Sequence, residues 1–332
     1  MAESIVAGLI TVGIQVILAI SVNIISGYAR QLSLGQAAFA GLGAYASALL
    51  NVRLGYSFWI ACPLSVFLTG GVGLLLGLPC LRGAKYYILA MTLGTNFLLQ
   101  HLLLDRRFMG GYLGLGRIPP PQFFAITLQS SGYLLLIFLS IGICLMIDRW
   151  YWYSRFGQVW HTAPGQRTAT AGVAEPRAVW IAFVMSTAMA GLAGSLFAHF
   201  EAFISPFDFN LDMSLFILAL AVCGGLGSLG GAILGAVLLG GLFEIVQLLS
   251  TYRLLTSGLV FLMVGFCFPH GLATFFRGRG YTPHSASAER PPGRSCSSET
   301  PEEKLKKRPM PAGELWAGSG RALEWAIRRI FF

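Results

Sequence analysis

Charge is what this 332-residue sequence has least of. Asp, Glu, Lys and Arg make up 11% of it, against 55% hydrophobic residues, whereas soluble proteins carry about a quarter charged residues. A water-soluble body needs polar surface, so that class is excluded. Only four lysines occur (Lys85, Lys304, Lys306 and Lys307). None sits in a G-x-x-x-x-G-K-[ST] loop, so the chain carries no ATPase phosphate loop of that kind. Six cysteines are present without C-x-x-C or Cys/His metal spacing. Five of them (Cys62, Cys80, Cys144, Cys223 and Cys267) lie in or beside apolar runs and read as small packing residues. Ser/His/Asp sets, carboxylate dyads and metal clusters are missing too, and His101 and His199 stand isolated. The expectation is a non-enzyme with no metal site, no catalytic residue and no cofactor of its own.

What the chain does have is length in apolar runs. "IVAGLITVGIQVILAISVNIIS" (5–26) and "SFWIACPLSVFLTGGVGLLLGL" (57–78) contain no charged side chain. About 18 or more such residues, at about 1.5 Å each, cross a hydrocarbon core of about 30 Å. The first run is too long for a signal-peptide core and has no basic leader, so it reads as a retained span. Apolar segments fall near 5–26, 35–50, 57–78, 86–104, 124–147, 178–200, 213–226, 229–249 and 254–268. The expected fold is all-α, a polytopic transmembrane helical bundle of about eight or nine membrane segments. Segments 35–50 and 213–226 are short and glycine-rich. They fit tilted, re-entrant or broken helices, which occur only where protein or a cavity shields the backbone.

Two domains are expected, a membrane domain over 1–276 and a tail over 277–332. The tail holds 11 Lys/Arg and 6 Asp/Glu, a balance of +5 out of the net +9. Under the positive-inside rule it is cytoplasmic, which is simpler than nucleic-acid binding. Its Pro-, Ser-, Glu- and Lys-rich part, 280–313, is expected to be disordered. "RALEWAIRRIFF" (321–332) reads as a short amphipathic helix on the bilayer surface or as a frayed end. Arg149, Arg155, Arg167 and Arg177 put loop 148–177 inside with "RGAK" (82–85). Glu201, Asp208 and Asp212 put 201–212 outside, with 105–122 on the same side despite its three arginines.

"GGLGSLGGAILGA" (224–236) contains G-x-G-x-x-G at Gly225, Gly227 and Gly230. A nucleotide site needs that spacing between a strand and a helix of an α/β domain. Here membrane-like runs flank it on both sides, and nucleotide binding is rejected. Gly227, Gly231 and Gly235 are four apart, as on one helical face built for close helix contact. Segments 41–50 and 230–239 share a glycine/alanine pattern, which fits either duplicated halves or a coincidence of composition.

Intramembrane polar groups are costly and invite a functional reading. Thr92, Asn96 and Gln100 recur at i, i+4 and i+8, a polar stripe that either lines a translocation path or bonds to a neighbouring helix. Gln15 and Asn23 share the first span and face the bundle interior. Glu244 sits inside an apolar run, with Arg253 near enough in sequence to pair with it.

Several blocks in order resemble the branched-chain amino-acid ABC transporter permease family, in its LivM-type branch. They are "NIISGYARQLSLGQAAFAGLGAYASALL" (23–50), "LPCLRGAKYYILAMTLGTNFLLQ" (78–100), "GGYLGLGRIPPP" (110–121), "AFVMSTAMAGLAGSLFAHFEAFISPFDFNLDMS" (182–214), "CGGLGSLGGAILGAVLLGGLFEI" (223–245) and "GLVFLMVGFCFPHGL" (258–272). The resemblance implies a permease subunit in a bacterial inner (plasma) membrane, importing branched-chain amino acids. It implies a homologous permease, two cytoplasmic ATP-binding subunits that use the ATP, and an extracytoplasmic solute-binding protein as partners. It also implies an ATPase-coupling loop, carried here by Arg155, Gly157, Arg167 and Gly172. That loop, "GQVWHTAPGQRTATAGVAEPR" (157–177), is about two residues shorter than the family pattern. It has no acidic residue at the family's position, and Pro164-Gly165 interrupts its helix. Alternatives are a urea or small-amide importer on the same scaffold, an ATP-independent channel or secondary transporter, and a membrane enzyme.

Overall fold

Helix α1 (Ala2–Val22) runs without a break into a π-helical segment, Asn23–Tyr28. Its side chains are apolar on nearly all sides, so it can be stable only when surrounded, and it is buried from Ile10 onward except at a few half-exposed positions. The computed structural model describes residues 2–82, 87–104, 111–123, 126–127, 130–161 and 174–244. These all belong to one unit, Met1–Tyr281. The tail over 277–332, its 321–332 segment, Arg253 and the apolar run 254–268 lie outside the described residues.

After α1 the chain unwinds over 29–35 and then forms α2 (Gln36–Val52), whose residues 36–45 are all buried. Helix α3 (Phe58–Gly77) ends in a 3-10 turn, Leu78–Arg82. Then come α4 (Tyr87–Leu103), α5 (Ser130–Tyr153), the short α6 (Arg155–His161) and the long α7 (Glu175–Glu201). Helix α8 (Leu211–Gly224) is capped by the Asn210 side chain, which accepts the Met213 N–H. A glycine turn joins it to α9 (Leu229–Gly235), which continues as a π-helical segment, Ala236–Gly240, and helix to Glu244.

Four described helices are long and apolar enough to cross a membrane: Ile5–Tyr28, Phe58–Gly77, Ser131–Tyr153 and Glu175–Glu201. Tyr87–Leu103, Leu211–Gly224 and Leu229–Glu244 are apolar but shorter. Among the described residues, then, four helices are long enough to span and three more are apolar but shorter, while part of the expected eight or nine segments, such as 254–268, lies outside the described residues. Helices α1 and α7 are mostly buried, and only about a third of α3 and of α5 is. Phe67, Leu75, Leu135, Phe138 and Met146 stand outward on α3 and α5, the placement an apolar solvent favours.

The centre is α7 against α2. A Cβ added at Gly194 would overlap the Ala40 carbonyl, and one at Gly43 would overlap the Gly191 backbone. In lipid no hydrophobic force drives helices together, so dispersion between closely approaching backbones must do it, and only glycine permits this approach.

The all-α expectation holds apart from four two-residue strands. Strand β1 (Leu115–Gly116) pairs antiparallel with β4 (Phe203–Ile204), and β2 (Gln122–Phe123) with β3 (Ile126–Thr127). Ile118 N–H also donates to Ala202 O at 3.2 Å, and Trp59 Nε1 to Gln122 O at 2.8 Å. The segments around 115–122 and 201–204 therefore share one end of the bundle. Trp180 Nε1 donates to Leu74 O at 3.2 Å, which brings the end of α3 to the start of α7 at the other end.

Candidate translocation path

The unwound segment before α2 has exposed peptide groups that must be satisfied inside the bundle. Helix α4 does this. Leu34 N–H donates to Thr92 Oγ1 at 3.2 Å, and Asn96 Nδ2 donates to Leu34 O at 3.0 Å and to Ser214 Oγ on α8 at 2.8 Å. Ser214 Oγ in turn accepts the Ala37 N–H at 3.1 Å. Thr92 and Asn96 are fully buried, while Gln100, one turn further on, is half-buried. Two members of the stripe thus bond to neighbouring segments. Asn96 Oδ1 meets no donor among the described residues.

Asn23 faces the turn before α9, and Gln15 faces the π-helical segment after it. Asn23 Oδ1 accepts the Gly227 N–H at 2.8 Å, across 204 residues of sequence. Gly240 leaves room for the Gln15 amide oxygen. Gln15 Oε1 and Asn23 Nδ2 are buried without a partner among the described residues. Gly231 and Gly235 pack against Gly224 of α8, as a close-contact face should. Gly227 does not belong to that face. It lies in the turn ahead of α9 at φ +83°, after Gly225 at φ +112°, and Ser228 caps the helix by accepting the Gly231 N–H. The four-residue period hid this because a left-handed turn and a helical face both select glycine.

Other polar groups gave no periodic signal. Gln36 Nε2 donates to Ser186 Oγ at 2.7 Å, Ser186 Oγ donates to Ser21 O at 2.7 Å, and Ser21 Oγ lies 3.3 Å from Gln36 Oε1. This closes a ring among α1, α2 and α7. His199 is not isolated either. Its Nδ1 is 2.9 Å from Pro119 O, a group that can only accept, so Nδ1 carries the proton. Nε2 then accepts from Ser47 Oγ at 2.9 Å, and Ser47 Oγ accepts from Ser195 Oγ at 2.9 Å. This ties α2 and α7 to the strand end. Between α1, α2, α7 and α8 a recess lined by Ile14, Leu18, Ala40, Gly194 and Phe209 holds about 30 Å³, room for about one water.

At the end opposite the strands, Tyr28 Oη donates to Asp148 Oδ2 at 3.1 Å and so joins the α1 π-segment to α5. The chain then turns sharply into α6. A Cβ at Gly157 would overlap the Tyr151 and Trp152 carbonyls, and Trp160 Nε1 donates to Tyr151 Oη at 3.0 Å. Arg155 is exposed and Gly157 buried. Arg167, Gly172 and Pro164-Gly165 lie outside the described residues. Among the described residues no group of three His, Cys, Asp or Glu side chains is placed to hold a metal ion.

Residues 4–265 match the family described as branched-chain amino acid transport system / permease component. The chain belongs to that family. It is 31% identical over 292 residues to the high-affinity branched-chain amino acid transport system permease protein LivM of Salmonella typhimurium, covering 80% of this chain and 68% of that protein. The LivM protein of Escherichia coli (strain K12) matches at 31% over 295 residues, with the same coverage. The LivH permease protein of Salmonella typhimurium matches at 29% over 117 residues, 34% of this chain and 36% of that protein. No solved structure matches. The permease is a multi-pass membrane protein of a non-enzymatic family.

Proposed function

We propose that this permease is one of two transmembrane subunits of an ATP-driven importer for branched-chain amino acids in a bacterial inner membrane. The observation that carries the reading is the likeness to the LivM proteins along four-fifths of the chain. A homologous permease completes the path, two cytoplasmic ATP-binding subunits supply the power, and an extracytoplasmic solute-binding protein delivers the amino acid. The partial match to a LivH protein favours a paired, homologous permease. In this reading α6 and the strand-free end face the cytoplasm, and the basic tail lies on the same side.

The path runs beside α1 and α4. Three of the five path residues expected from the sequence (Gln15, Asn23 and Asn96) keep a buried polar atom without a partner among the described residues. A buried polar atom left alone costs about 1–3 kcal/mol, so these atoms favour a second state of the bundle in which water or a solute reaches them. Closure of the ATP-binding subunits pushes α6 and opens the bundle. The test is co-purification of a tagged chain with its ATP-binding subunits, then leucine uptake in proteoliposomes. ATP-dependent uptake supports the reading; uptake indifferent to ATP, or no co-purifying ATPase, overturns it.

A further inference from the structure

At the end where α5 turns into α6 there is an open cleft of about 450 Å³, within the range of small-molecule sites. One wall is Tyr28, Asp148, Arg149 and Trp152, and the other is the turn and first residues of α9, from Gly227 to Leu234. Asp148 is 1% exposed, yet it lines this cleft. Its Oδ2 accepts from Tyr28, while its Oδ1 meets no donor among the described residues. A carboxylate oxygen buried without a donor is a strongly unfavourable arrangement unless a proton or a cation completes it.

The surroundings say which cation. Among the described residues no group of three His, Cys, Asp or Glu side chains includes Asp148. One carboxylate suits one ammonium group. The next residue, Arg149, lines the same cleft, with its guanidinium 5.5 Å from the centre of the Tyr153 ring. It offers a carboxylate partner at the mouth. Trp152, Leu229 and Leu234 supply apolar wall between and beside the two charges.

We infer that this cleft binds a zwitterionic amino acid with an aliphatic side chain. The ammonium group rests on Asp148 Oδ1, the carboxylate on Arg149, and the side chain against Trp152 and Leu234. The inference rests on the importer reading and deepens it, because it gives the substrate a site at the inner end of the path. That site abuts α6 through Trp152, whose carbonyl Gly157 crowds, so occupancy of the cleft and the position of the coupling helix bear on each other.

The test is equilibrium binding of radiolabelled leucine to the full chain in lipid nanodiscs. Leucine is expected to bind, valine and isoleucine to compete, and 3-methylbutylamine and 4-methylpentanoate, which each lack one of leucine's two charges, to compete at least roughly tenfold more weakly. Asp148→Asn is nearly isosteric and should raise the leucine Kd by roughly tenfold or more. Leu234→Trp, which fills the cleft from the other wall, should abolish binding, so the result does not depend on one variant's folding. Absence of leucine binding, or binding unchanged in both variants, overturns the site. Equal competition by the amine makes it a plain cation site and overturns it too. ATP-driven leucine uptake by the assembled importer is measured in parallel. If uptake is present while the binding result is negative, the importer reading stands and only this site falls; if uptake is absent in the unaltered assembly, the importer reading itself falls.

Discussion

The side-chain oxygen of Asn23 accepts the backbone N–H of Gly227 at 2.8 Å, joining the π-segment of the first helix to the left-handed turn before the last described one. Gly27 stands next to this bond, and a Cβ there would meet both Asn23 Oδ1 and the Gly227 nitrogen. The contact makes unequal demands on nearby glycines. Gly27→Ala should destabilise the detergent-solubilised protein by about 1–3 kcal/mol, seen as a lower melting temperature. Gly230→Ala, where an added Cβ meets nothing within 4 Å, should melt like the unaltered chain. Equal melting of all three proteins would contradict this joint.

Asn96 bonds to two segments other than its own, Leu34 and Ser214. Asn96→Leu leaves the Leu34 carbonyl without this donor inside the bundle. The expected cost is about 1–3 kcal/mol, with a loss of uptake at matched membrane abundance. Ser214→Ala also removes the acceptor of the Ala37 N–H and should lower the melting temperature. An Asn96→Leu protein that melts normally and transports normally would rule out both roles for this side chain.

His199 bridges Pro119 O and Ser47 Oγ. His199→Leu keeps the bulk but strands the hydroxyl and the carbonyl, for an expected loss of about 1–3 kcal/mol. Hydrogen exchange should rise at the strand end, around 115–122 and 202–204. Unaltered exchange there would show that the network does not hold that end.

The α5–α6 corner separates two effects. Gly157→Ala forces backbone apart at Tyr151 and Trp152 and should lower both the melting temperature and the yield of ATPase-bound complex. Arg155 is exposed, so Arg155→Ala should leave melting unchanged and weaken only the retention of the ATPase subunit on a tagged-chain column. Full retention with Arg155→Ala would remove that residue from the docking surface.

The helical spans were legible because a 20-residue apolar run has few other ways to be stable. The glycine-rich shortness of 35–50 and 213–226 left tilted, re-entrant and broken helices open; the structure has continuous helices, Gln36–Val52 and Leu211–Gly224, with unwound backbone before the first and a glycine turn after the second. Thr92 and Asn96 were visible as a stripe, while their partner was not. That partner is unwound backbone around Leu34, and backbone leaves no compositional mark. Gly227 was assigned to a helical face by its spacing, although φ and not contact selects it. His199 looked solitary because its partners lie 80 and 152 residues away. Asp148 has no mark in the sequence beyond its place at the edge of a basic loop, since the burial of its carboxylate and the bond to Tyr28 exist only once α1 packs beside it.

By itself the sequence determined that this chain needs an apolar solvent, that its backbone must close its hydrogen bonds within helices, and that no ATPase phosphate loop is built into it. Those properties follow from local composition, which fixes transfer free energies residue by residue. Which glycines are turns and which are contacts, which polar groups are satisfied and which wait for a partner, and where a cleft forms were decided by tertiary structure alone. Such properties depend on distances between residues far apart in the chain, and packing sets those distances.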